Sequence, residues 1–164
     1  MPLPDRPVAA AAIETEWGQA VHDYTFAPAG TSVYGGALTV STLSTLLLQY
    51  VDDDPGGWAD TANRRIIVPT GHEGLYTVSA SYSSVNADAG KTIRFWLRIN
   101  GSNVNTDTML GDGGINVFGS MMTVEQLAAG DIIDIRGELR DGGTHPQITV
   151  RALRTVRIGA ELGA

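Results

Sequence analysis

The chain has 164 residues, 43% of them hydrophobic, a formal net charge of −7 and no cysteine. That length suits one domain with an appendage, and the missing cysteines exclude a disulfide framework, a thiolate metal site and a thiol nucleophile. A net negative charge without any basic block argues against nucleic-acid binding, which needs cationic groups along the phosphates.

The beginning of the chain shows no charged start followed by an apolar core and a small-residue cleavage site, so no secretory signal is expected. In "PVAAAAIETEWGQAVHDYTF", Ile13, Trp17, Val21 and Tyr24 recur at spacings of four, four and three. That is one stripe of a helix, with Asp5 available as a cap and Pro7 near its start. Gly18 weakens the pattern, and "FAPAG" closes it because residues before Pro28 are pushed out of helical geometry. A single helix of this length is marginal in water, so its stripe must pack on something. The partner is either its own domain or another chain. Residues 1–30 are read as an attachment segment, with Ile13, Trp17, Val21 and Tyr24 as the attaching side chains, and residues 31–164 as a head domain.

After Gly30 the pattern becomes that of strands. "TLSTLLLQYV" predicts an apolar strand, and "DDDPGGW" a turn after it. "RRIIVPT" and "GLYTVSASYSSV" follow, the latter with Tyr76, Val78, Ala80 and Tyr82 on one parity. In "TIRFWLRI", Ile93, Phe95, Leu97 and Ile99 share one side, and Arg94, Trp96 and Arg98 the other. "INVFGSMMTV" comes next. In "QLAAGDIIDIRGEL" a corner from Leu127 to Asp131 opens a strand carrying Ile133, Ile135 and Leu139 on one parity. Gly130 relaxes the backbone there, and Asp131 can bond back to nearby amides. "QITVRALRTVRIGAEL" completes the series. Turn clusters "NADAG", "NGSN", "GDGG" and "DGGTHP" separate strands with no helical pattern between them, which indicates an all-β sandwich or barrel. "LSTLLLQYV" is far too short to span a bilayer, so no membrane insertion is expected.

One strand is apolar on both parities. In "NVFGSMMTV", Val117 and Met121 lie on one side, and Phe118, Met122 and Val124 on the other. Antiparallel sandwiches normally present one face to water, so the second face requires a cover. Trp96, on the polar side of its own strand, points the same way. An oligomer interface is the preferred cover, with Trp96, Phe118, Met122 and Val124 as its candidate residues.

Catalytic chemistry is hard to find. His22, His72 and His145 are isolated, with no His-x-His of a jelly-roll metal enzyme, and are read as surface or loop residues. Asp52, Asp53 and Asp54 could offer oxygens to calcium, but three acids before Pro-Gly-Gly read as a solvated turn. "GDGG" around Asp112 reads as a hairpin connection. Asn100-Gly101-Ser102 matches a glycosylation acceptor, but Asn-Gly is the strongest two-residue hairpin signal. No nucleophile elbow, phosphate loop or catalytic carboxylate pair stands out. No enzyme activity, cofactor or metal is expected.

Taken together, "IIVPTGHEGLYTVSASYS", "IRFWLRINGSNV", "MMTVEQLAAGDIIDIRGEL" and a last apolar strand resemble the globular head of complement's first component. Its relatives share the tumour-necrosis-factor-like jelly roll. Pro69, Gly74-Leu75-Tyr76, Asn100-Gly101, and Leu127 followed by Gly130-Asp131 carry the resemblance, over roughly residues 40 to 162. "VRIGAEL" stands where the family closes with aromatic-Gly-aromatic. The resemblance implies an antiparallel jelly-roll sandwich and a compact homotrimer with one sheet facing a threefold axis. Such domains on a short N-terminal element resemble decoration, head-fibre and minor tail proteins of bacteriophages. "PDRPVAAAAIETEWGQAVHDYTFAPAG" looks like the start of minor tail or capsid-attached proteins of phages infecting high-GC actinobacteria. One lysine against ten arginines fits such a genome.

Two functions compete. In the first the chain is a virion structural protein, made in the host cytoplasm and anchored to other capsid or tail proteins by its N-terminal segment. In the second it is an adsorption module whose loops Asn86–Gly90, Asn105–Gly114 and Asp141–Pro146 contact a host receptor or surface glycan. Sugar sites usually show exposed aromatics beside polar groups, and these loops have none, which favours the first. A depolymerising enzyme is a weaker third, without the acidic pair it would need.

Overall fold

The computed structural model describes residues 30–40 and 42–159. The expected N-terminal helix, with Ile13, Trp17, Val21 and Tyr24, lies outside them.

The described residues form an all-β antiparallel sandwich. Sheet I runs in the order β10 (Val117–Leu127), β7 (Gly74–Val85), β12 (Gln147–Gly159), β1 (Ser32–Tyr34) and β4 (Tyr50–Asp53). A short β2 (Ala37–Thr39) also pairs with β12. Sheet II runs β5 (Ala59–Asp60), β6 (Arg65–Ile67), β11 (Ile132–Leu139), β8 (Thr92–Ile99) and β9 (Ser102–Leu110), with β3 (Ser44–Thr45) beside β11. The connections after β7, β9, β10 and β11 each cross to the other sheet, while β8 and β9 form a hairpin within one. This is the jelly-roll arrangement.

Alternation of side chains explains why the two sheets meet. Tyr76, Val78, Ala80 and Tyr82 are buried on β7, and Ile93, Phe95 and Leu97 on β8. Ile133, Ile135 and Leu139 are buried on β11. Each buried aliphatic or aromatic side chain contributes about 1.5–3 kcal/mol. Across the middle, the Tyr82 and Phe95 rings stack with centroids 3.9 Å apart. The Tyr82 hydroxyl donates to the Asp107 carboxylate, tying sheet I to sheet II.

The turns obey their chemistry. Asn100 and Gly101 both take positive φ (51° and 79°), as the tight hairpin between β8 and β9 requires. At the Leu127–Asp131 corner, the Asp131 carboxylate accepts the Ala128 amide at 2.8 Å, and the Asp131 amide bonds back to the Ala128 carbonyl at 3.1 Å.

"TLSTLLLQYV" is not one strand. It is divided between β3 in sheet II and β4 in sheet I. The stretch between them crosses the sandwich: the Leu46 amide bonds Ile135 of one sheet, and the Gln49 amide bonds Tyr34 of the other. Leu46 and Leu48 are fully buried along the crossing. An apolar run reads the same whether it stays in a sheet or passes between two.

Candidate assembly surface

Strand register sets the side chains of sheet I's outward side in rows. Met122 of β10 lies across from Ser79 of β7, and Ser79 across from Arg154 of β12. Val124, Thr77 and Val156 form the adjoining row. Phe118, Met122 and Val124 are 66%, 63% and 52% exposed, and Val156 and Ile158 are 48% and 52% exposed. The β7 side chains between them are small. They leave a shallow hollow of about 260 Å³, lined by Ser79, Ser81, Ser120, Met122, Ala152 and Arg154.

The other flank of the same side is aromatic. Tyr34 of β1 and Tyr50 of β4 are register partners whose rings stack at 5.0 Å with 24° between planes. Both are open to solvent, and Val33, the neighbour of Tyr34, is buried in the core. Between the flanks the Arg154 Nε donates to the Ser32 hydroxyl at 3.0 Å, and its terminal nitrogen stands 3.9 Å from Asp52. Both charged side chains are more than half exposed, so this pair adds little stability by itself.

The four residues expected to share an interface do not lie on one surface. Phe118, Met122 and Val124 lie together on sheet I, whereas Trp96 lies on the outward side of sheet II, across from Arg136 and Thr106. Parity places a side chain on one face of its own strand, but β8 and β10 belong to different sheets. Sequence reasoning also missed Tyr34, Tyr50, Val156 and Ile158. The alternation of Arg154, Val156 and Ile158 with Leu153 and Thr155 was a usable signal for two of them. It is offset from the first part of β12 by a bulge near Arg151.

The remaining candidates are scattered. Asp54 accepts the Trp58 and Ala59 amides at 2.7 and 3.0 Å, so this acid holds its own turn. Asp52 and Asp53 belong to β4 rather than to the turn. His72 meets the buried Trp58 ring edge-on, and His145 is exposed. Among the described residues no group of three or more His, Asp or Glu side chains could hold a metal ion. Among them, too, no helix is long and apolar enough to cross a membrane.

The candidate adsorption loops gather at one end of the sandwich. The Gly113 amide bonds Ala87, the Gly90 amide bonds Gly111, and the Thr144 amide bonds the Asp88 carboxylate at 2.8 Å. The backbone hydrogen bond from Thr144 holds the Asp88 carboxyl below its ordinary value. Hydrogen bonding from Thr92 does the same for Asp141. Asn105–Gly114, expected as a loop, is not one throughout: Asn105 to Leu110 is part of β9, paired residue by residue with β8, and only the stretch after Leu110 is a connection. Opposite this end, Gly30 abuts Thr155, and Gly159 pairs with Leu75 at the start of β7.

No protein-family model matches the chain, and no curated protein does. Among solved structures, the globular domain of zebrafish complement 1qA protein is similar with a TM-score of 0.64 and 12% identity, covering 81% of this chain and 99% of that one. The vertex protein P5 of PRD1 is similar with a TM-score of 0.56 and 12% identity, covering 79% of this chain and 73% of that one. At this identity the likeness is one of fold, and it agrees with the jelly roll expected from the strand motifs.

Proposed function

We propose that the chain is a structural protein of a bacteriophage particle, a homotrimeric jelly-roll head attached to capsid or tail proteins by residues 1–30. In this reading it is a decoration, head-fibre or minor tail protein of a phage of high-GC actinobacteria, located in the virion, and it catalyses nothing. The observation that carries it is the line of Phe118, Met122 and Val124 along β10, all more than half exposed, with Val156 and Ile158 exposed on the same side beyond β7. A patch of this kind marks an interaction surface. The fold shared with the PRD1 vertex protein P5 supports the virion reading. So does the resemblance of the N-terminal segment to phage attachment proteins.

The loop cluster favours a second reading, host adsorption. It lies at the end opposite Gly30, where a head anchored through its N-terminal segment would meet the host.

Light scattering of the full chain should give three copies, and electron microscopy of particles should place it on the virion. Trp17→Ala should leave the head's melting unchanged yet lower incorporation into particles, because three anchors act together through effective concentration. Normal incorporation combined with collapsed melting would assign the N-terminal stripe to the head's own core.

A further inference from the structure

The outward side of sheet II differs from that of sheet I. It carries Arg94, Arg98, Arg136 and Arg140 against Asp134 and Glu138 on β8, β11 and the residue after it. In a chain of net charge −7 this is a locally positive surface. Two of the arginines are neutralised: Arg98 makes a two-pronged pair with Asp134, and Arg140 reaches Glu138 at 3.5 Å.

Arg94 stands across from Glu138 in register, yet its guanidinium leans over Trp96 instead, 5.9 Å from the ring centre. Arg136 is the register partner of Trp96. The Nε atoms of both Arg94 and Arg136 are covered and have no hydrogen-bond partner, and neither side chain is ion-paired among the described residues. Buried donors left in this way call for an explanation. On the other side of β8, Thr106 faces Trp96 and Thr108 faces Arg94, and both threonines are exposed. Guanidiniums, an indole and hydroxyls therefore share one patch.

We propose that this patch binds an acidic saccharide, with Arg94 and Arg136 taking its carboxylate or phosphate groups and Trp96 lying against a sugar ring. Guanidinium matches either oxyanion with paired N–H groups, and an indole offers a sugar both an apolar body and a polar tip. A protein partner fits less well, because the core of an interface is depleted of charged groups and this patch sets four arginines and two carboxylates around one indole. The site belongs to one chain and lies on the sheet opposite the assembly surface, so it does not depend on trimerisation.

Calorimetric titration of the full chain tests it with four probes: oligogalacturonate, a phosphomannan oligomer, a neutral galactose oligomer and polyglutamate. Binding is expected for the first, the second or both, and which of them binds identifies the anion. It should weaken as salt rises. Arg136→Gln should weaken it by about tenfold, the scale of one lost charge-assisted contact, and Trp96→Ala should weaken it comparably by removing the ring that faces the sugar, with the fold retained in both. Arg136→Lys should recover only part, since a lysine keeps the charge and loses the fork. Met122→Ser, on the other sheet, should leave binding unchanged. No binding of either acidic probe at millimolar concentration would overturn the proposal. So would equal affinity in the Arg136 and Trp96 variants, or polyglutamate binding as tightly as the saccharides.

Discussion

Met122 stands directly across from Ser79, and with so small a neighbour it remains 63% exposed on a sheet whose other side is the core. A methionine so exposed adds little burial to its own fold, so aspartate there costs the isolated chain mainly strand propensity. In an assembled interface the same aspartate would be a buried unpaired charge costing several kcal/mol. Met122→Asp is therefore expected to remain folded at low concentration, destabilised by no more than about 1 kcal/mol. Light scattering should show it to be monomeric at concentrations where wild type assembles. An assembled Met122→Asp protein would remove the outward side of sheet I from the interface.

The two flanks of that side differ, one carrying Phe118, Met122 and Val124 and the other the stacked Tyr34 and Tyr50. A ring needs two different patches that meet head to tail, whereas a twofold dimer needs one patch that meets itself. If copies join flank to flank, Met122→Asp and Tyr50→Asp chains should each be monomeric alone and form a one-to-one pair when mixed. The intact aromatic flank of the first would take the intact β10 flank of the second. Analytical ultracentrifugation of the mixture decides the matter, and no new species on mixing would exclude the head-to-tail arrangement.

Most of the fold was legible because it rests on local rules. Ile133, Ile135 and Leu139 alternate with Asp134, Arg136 and Glu138, and the strand does bury the first set. Asn100-Gly101 specifies its hairpin through backbone geometry that few other residue pairs accept. The candidate assembly surface was legible only in part. The double-sided apolar pattern of β10 was visible, but the company it keeps depends on sheet membership. β7 lies beside β10 although their starts, Gly74 and Val117, are 43 residues apart, and nothing local in Trp96 says that β8 is in the other sheet. Tyr34 and Tyr50 lie on strands of three and four residues. Those strands exist through pairing with β12 and with each other rather than through any periodicity of their own.

Gly119 makes room for the tie between the sheets. A Cβ there would lie 2.5 Å from the Tyr82 ring, 2.9 Å from the Asp107 carboxylate and 3.0 Å from the Met109 sulfur. Gly119→Ala should cost about 1–3 kcal/mol through overpacking. At roughly 2–4 °C per kcal/mol for a chain of this size, calorimetry would see the loss easily. The neighbouring Ser120→Ala, which faces outward, should leave the melting temperature in place. An unchanged melting temperature in Gly119→Ala would mean that β10 can shift away from Tyr82 without cost.

The Tyr82–Asp107 tie also sets a pH dependence. Burial, and then the hydrogen bond to Asp107, holds the Tyr82 phenol well above its ordinary value of 10.0. Burial raises Tyr76 as well. Above that ordinary value the unfolded chain releases these protons while the folded chain keeps them, so stability falls with rising pH. Each such group adds a slope of about 1.4 kcal/mol per pH unit. Below it both states hold the proton, and the contribution is fully present. Tyr82→Phe deletes one of the two groups and, at neutral pH, the hydrogen bond with it, at about 0.5–1.5 kcal/mol or more because Asp107 loses a partner. The difference in stability between wild type and Tyr82→Phe should hold steady up to about pH 10 and then shrink, as only wild type carries the Tyr82 share of the alkaline slope. Urea titrations at successive pH values measure that difference directly. A gap that stays constant through the alkaline range would mean that the folded protein releases the Tyr82 proton as readily as the unfolded chain does.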